Sequence, residues 1–126
     1  MVTATIGKDH YRTEIIAAAK TIVADEPEDV GGTNAGPAPG DFLLVSLASC
    51  TAITLRMYAD RKKWPVDQIR VEVMSERTEW KTIFTRHIYI DGQVTEEQRQ
   101  RLLQIADACP VHKVLTHPIE IDTKLL

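Results

Sequence analysis

The sequence predicts an α+β domain, and three features carry that prediction. A long, nearly all-round apolar stretch in the middle, "FLLVSLASCTAITLRMY", has the length of a buried helix. "QIRVEVM" alternates apolar and charged residues with the two-residue period of a half-buried strand. "TEEQRQRLLQIADAC" opens with capping-box spacing, Thr95 to Gln98, and continues with helical periodicity. The order is strands, buried helix, strands, helix, strand, within a chain of 126 residues that has room for one domain, 1–126.

In chain order, "VTATIG" alternates weakly and suits a first strand. "YRTEII" and "KTIVADEP" carry β-branched residues on either side of "AAAK", as in a hairpin. An Ala-rich helix competes there, since Ala favours helix. "GGTNAGPAPG", residues 31–40, holds four glycines and two prolines and is a loop. Asp41 follows as an N-cap or first-turn acid at the positive end of a helix dipole, and Arg61, Lys62 and Lys63 suit the other end. Trp64-Pro65 stops that helix, predicted over 41–63. Enclosing a helix so apolar calls for sheet or a partner subunit around it.

In "QIRVEVM", Ile69, Val71 and Val73 point inward and Arg70 and Glu72 outward. "TIFTRHIYIDG" reads as its neighbour, with Asp91-Gly92 as a turn. In the second helix Leu102, Ile105, Ala106 and Cys109 share one stripe. Pro110 interrupts it and suits the first position of a short further helix. "PIEIDTKLL" closes the chain as a strand.

Hydrophobic residues make up 44% and charged residues 26%, the balance of a soluble globular protein. The net charge of −3, with no basic cluster, argues against nucleic acid as a partner. No apolar run is expected to reach the roughly 20 residues that span a bilayer. "MVTATIGKDHYRTE" lacks the features of a secretory signal. A cytoplasmic location follows, where a permanent disulfide is out of place and cysteines are catalytic, sensing, metal-binding or merely buried.

The two cysteines, Cys50 and Cys109, admit several readings. Free cysteines commonly behave as small buried hydrophobes. Here, however, Cys50 sits on the stripe Leu43, Leu47, Cys50, Thr54, and Cys109 lies at the inner edge of a second helix beside a proline break. Cys109 and His112 have C-x-x-H spacing, and Cys50 and His117 would complete four metal ligands, but zinc sites usually carry two paired motifs. A cysteine-protease arrangement has only His112 as a base. Redox chemistry needs a thiol that ionises, hence a cation or hydrogen-bond donors near it. Arg12, between Tyr11 and Thr13, is a candidate cation, although an exposed strand arginine is the commoner case.

"DEPEDVGGTNAGPAPGDFLLVSLASCTAITLRMYADRKKW" followed by "LLQIADACPVHKVL" strongly resembles the OsmC-like family, which includes osmotically inducible protein C and the organic hydroperoxide resistance proteins. The resemblance runs over essentially the whole chain. It implies an intertwined homodimer in which antiparallel sheets from both subunits wrap around central helices. It further implies a cysteine-based peroxidase. The cysteine matching Cys50 attacks a hydroperoxide and becomes a sulfenic acid, the one matching Cys109 condenses with it to a disulfide, and an external dithiol reduces the pair. Organic hydroperoxides are the implied substrates, and no metal or cofactor is required. The alternative is a non-catalytic redox-sensing or small-ligand-binding dimer on the same fold. One departure stands out. Hydroperoxide resistance proteins carry a glutamate ten residues before the first cysteine, where it positions a catalytic arginine, and this chain has Gly40 there.

Overall fold

The computed structural model describes all residues 1–126 and is a mixed α+β structure with antiparallel sheets. The chain divides into two compact units, 1–43 and 44–126.

The first unit is a three-stranded antiparallel sheet, β1 (Val2–Ile6), β2 (Thr13–Ala17) and β3 (Lys20–Ala24), in sequence order. The hairpin reading of residues 13–24 holds and the Ala-rich helix does not form. Ile15, Ile16 and Ile22 favour the pleated sheet, and the two-residue loop Ala18-Ala19 reverses the chain with φ of 49° and 59°. The Gly/Pro loop folds back on itself around Asp25. Gly32 lies so close to Glu26 that a Cβ would sit 2.0 Å from its carbonyl oxygen.

Helix α1 (Pro39–Lys62) begins in this loop and continues into the second unit. Pro39 occupies the first helical position, and the Asp41 carboxylate accepts from the Ala38 N–H at 3.1 Å, the acid half of a capping box. Lys63, in the left-handed region at φ 56°, closes the helix before Trp64. Only one face of α1 is buried by this chain, the i, i+4 row of Leu47, Thr51, Leu55, Tyr58 and Ala59. The expected stripe through Leu43 and Thr54 is therefore displaced. Leu43, Val45, Ile53 and Met57 stay exposed. By length and composition α1 is apolar enough to cross a bilayer, although its uncharged stretch, Phe42 to Leu55, is shorter than the roughly 20 residues of a span.

The second unit adds β4 (Val66–Arg77) and β5 (Thr82–Gly92), an antiparallel pair, then α2 (Glu96–Ala106) and α3 (Pro110–Leu115). In β4, Ile69, Val71 and Val73 are half-buried and Arg70 and Glu72 exposed, as the alternation requires. Thr95 and Gln98 form both halves of the capping box. Leu55, Tyr58, Ala59, Val66, Leu102 and Ala106 make one buried cluster, with Ile69, Ile88, Ile90 and Ile105 packed around it.

Two expectations are corrected. Asp91-Gly92 is not a turn: it ends β5, with Gly92 opposite Val66 at φ 135° and its α-carbon pressed against the Pro65 carbonyl, 2.2 Å from where a Cβ would stand. The hairpin turns instead at Thr78–Lys81, where the Thr78 N–H bonds the Lys81 carbonyl at 2.8 Å. "PIEIDTKLL" forms no strand and lies exposed. A strand needs a neighbouring edge to bond, and alternation alone supplies none.

Candidate functional site

The second unit brings the two cysteines together. Cys50 comes from the middle of α1, where it is partly buried, at the border between the buried row and the exposed apolar face. Cys109 is the residue that caps α3, with Pro110 in the first helical position and its own N–H bonded to the Ala106 carbonyl at 3.3 Å. Its exposure is 0%. Both thiols are free, and each shifts the ionisation of the other.

The local sequence explains the arrangement. The stripe Leu102, Ala106, Cys109 faces inward as the periodicity predicts, and all three are buried. Proline breaks the chain direction after Cys109, so that the N–H groups of Val111 and His112, which have no partner inside so short a helix, turn toward the sulfurs. These donors settle where negative charge rests. Burial pushes the Cys109 thiol up, but the hydrogen bond from Cys50, the N–H groups of His112 and Val111, and the Thr51 hydroxyl outweigh it, leaving Cys109 below the ordinary thiol value. For Cys50, burial and the neighbouring Cys109 push the thiol up, and the Val111 N–H and Thr54 hydroxyl only partly oppose them. Of the two thiols, the buried Cys109 is therefore the more readily ionised and the accessible Cys50 the less.

Arg12 belongs to the first unit, exposed just before β2. His112 faces Asp107 at 3.8 Å, and His117 bonds the Lys113 carbonyl through its ring nitrogen. No three of the histidine, cysteine and acidic side chains converge as a metal site would require.

Sequence reasoning missed Arg86. Its guanidinium is 12% exposed and donates to the Thr51 hydroxyl at 3.0 Å, the Ala106 carbonyl at 3.2 Å and the Asp107 carboxylate at 2.9 Å. The signal was present in β5, where Phe84, Arg86, Ile88 and Ile90 occupy one half-buried face. An arginine on that face must find partners inside the fold. Asp25 was missed too. Only 2% exposed, its carboxylate accepts from the N–H groups of Tyr11, Glu26, Thr33 and Ala35 and from the Thr33 hydroxyl.

Comparison with known proteins agrees with this architecture. The pattern of the family described as OsmC-like protein matches residues 32–124. An OsmC-like protein of Mycoplasma pneumoniae superposes with a TM-score of 0.78 at 21% identity, covering 91% of this chain and 85% of that one. An organic hydroperoxide resistance protein, OsmC, of Legionella pneumophila gives 0.69 at 19% identity, covering 92% and 88%. One of Elizabethkingia anophelis, also named an organic hydroperoxide resistance protein, gives 0.69 at 21%, covering 94% and 89%. No curated protein matches the chain.

Proposed function

The chain belongs to the OsmC-like family, and on that premise we propose that it is a thiol-dependent peroxidase reducing organic hydroperoxides through Cys50 and Cys109. The observation that carries this reading is a mutually perturbing pair of free thiols, one accessible and one sealed, set among N–H and hydroxyl donors.

Only Cys50 is open to a substrate. Its proton passes to the neighbouring Cys109, which frees a nucleophile at the accessible sulfur. The Cys50 thiolate attacks the nearer peroxide oxygen: an S–O bond forms, the O–O bond breaks, and the alkoxide leaves and takes a proton as the alcohol. Cys50 is then a sulfenic acid. Cys109, ionised again, attacks that sulfur, an S–S bond forms, and hydroxide departs as water. A dithiol reductant restores both thiols by exchange and is itself oxidised to a disulfide. The resemblance implies a catalytic arginine, and Arg12 is the residue we assign to supply that cation for the first step. The aliphatic neighbours of Cys50 on α1, Leu47 and Ile53, favour an apolar hydroperoxide over hydrogen peroxide. A cytoplasmic setting keeps the pair reduced. The exposed apolar face of α1 is covered by a second copy in a homodimer.

The test is consumption of cumene hydroperoxide with a dithiol reductant. Cys50→Ser should abolish it. Cys109→Ser should allow one turnover and leave Cys50 open to irreversible over-oxidation, read as added oxygen by mass spectrometry. Rapid consumption by Cys50→Ser would move the chemistry elsewhere. No consumption by the unmutated protein with both thiols reduced would favour the redox-sensing or ligand-binding dimer, a reading that Gly40 at the glutamate position already supports.

A further inference from the structure

We propose that Arg86 is a positioning residue for the resolving thiol, fixing Cys109 at the α2–α3 break and directing the Thr51 hydroxyl onto its sulfur. This rests on the thiol-pair reading above.

A guanidinium on the inner face of a strand has lost most of its water and must be repaid by partners. All three partners of Arg86 adjoin the cysteines. Thr51 follows Cys50 directly in α1. The Ala106 carbonyl is also the acceptor for the Cys109 N–H, so Arg86 and Cys109 grip the same oxygen. Asp107 lies two residues before Cys109. Arg86 therefore ties β5, α1 and the break together at the place where the sulfurs meet.

Support for α2 alone would need only the carbonyl and the carboxylate. The bond to Thr51 adds something else. The threonine is fully buried and its hydroxyl has a single proton, which it donates to the Leu47 carbonyl at 2.7 Å, while the same hydroxyl is near enough to Cys109 to favour its ionised form. Arg86 donates to the same oxygen, so the hydroxyl is held as a donor and its O–H is polarised by the adjacent cation. With Cys109 neutral the proton rests on the helix carbonyl, the habitual bond of a helical threonine. When Cys109 is ionised, rotation about one C–O bond delivers it to the sulfur. The cation thus acts on the thiolate through Thr51. Asp107 tempers its charge, and His112 faces Asp107 in turn.

The experiment reads Cys109 ionisation by thiolate absorbance at 240 nm in Cys50→Ser protein, with the Cys50→Ser/Cys109→Ser double variant as the blank. Arg86→Met should move the Cys109 midpoint up by about one pH unit, the lower end of what one opposite charge contributes. Thr51→Val should move it in the same direction, whereas Thr51→Ser should hold it. Arg86→Lys, keeping charge without the fork, should fall between. The shift should persist with His112→Gln, which removes the neighbouring titration. Unchanged midpoints in Arg86→Met and Thr51→Val overturn the proposal, and a shift in Arg86→Met without one in Thr51→Val overturns the Thr51 link. If Arg86→Met fails to fold by circular dichroism, Thr51→Val and Arg86→Lys decide the matter. The titration needs no turnover. Absence of peroxidase activity in the unmutated protein would therefore sink the proposed function while Arg86 is still judged by its midpoint.

Discussion

At Gly40 the chain lacks the side chain that its resemblance to hydroperoxide resistance proteins calls for, yet it has room for one. A Cβ built there meets nothing within 4 Å, and the position lies in the first turn of α1. Gly40→Glu is therefore sterically free. It should stabilise the protein by about 1 kcal/mol, through lost backbone freedom in the unfolded chain and the helix dipole. Its effect on rate is the sharper test. If a carboxylate at this position orients Arg12, Gly40→Glu should raise hydroperoxide turnover about tenfold, the equivalent of roughly 1.4 kcal/mol of barrier. The gain should vanish in Gly40→Glu combined with Arg12→Met. A gain that survives Arg12→Met would assign the cation elsewhere. The residues show how far the sequence could be read. Cys50 and Cys109 stand out because cysteine is scarce here and each lies on a periodic apolar stripe. Arg86 and Asp25 did not, because nothing local marks them. Their importance lies in partners 35 and 20 residues away for Arg86, and 14, 8 and 10 away for Asp25.

At the scale of elements, those marked by a local sequence pattern were legible. The capping box at Thr95 and Gln98, the proline-led α3 and the alternation of β4 are local properties, and the chain adopts all three. Elements that depend on distant partners were not. Asp91-Gly92 has turn chemistry, but Gly92 serves close approach to Pro65 instead. The loop before α1 belongs to the same class, since it is organised by Asp25. The Thr33 hydroxyl, against the opposing effect of burial, and the N–H groups of Ala35, Glu26 and Tyr11 hold that carboxyl well below the usual carboxylate range. A carboxyl depressed on folding contributes stability that is complete above its unfolded value of about 3.9 and is lost as pH falls toward the folded one. Asp25→Asn should therefore be less stable than the parent at pH 7. The gap between the two in urea midpoint should narrow steadily below about pH 4. Hydrogen exchange at the Tyr11 and Ala35 amides should report the same trend locally. A gap that stays constant from pH 7 to pH 2 would mean that Asp25 acts by shape and not by charge.

The whole molecule leaves two apolar surfaces without partners. On α1, Val45, Ile53 and Met57 are 52%, 54% and 67% exposed, on the side away from the buried row of Leu47, Thr51 and Leu55. Beyond α3, Ile119, Ile121, Leu125 and Leu126 are exposed in a segment whose alternation is that of a strand without a sheet. Scattered exposed leucines need no explanation, but a contiguous apolar helix face does. Each such side chain gains roughly 1.5–3 kcal/mol when fully buried, so a face counted twice across a two-fold axis is the natural source of assembly energy. This is the physical case for the homodimer that the family resemblance implies, and a second copy seated on that face would lie beside Cys50. Sedimentation equilibrium at micromolar concentration should return twice the chain mass of 14.1 kDa. Ile53→Glu with Met57→Glu should return the single chain, because two carboxylates would have to be buried against their symmetry mates. Leu103→Glu, on the exposed face of α2, carries the same charge change and should leave the mass doubled. A single-chain mass for the unmutated protein would show that this face meets something other than a second copy.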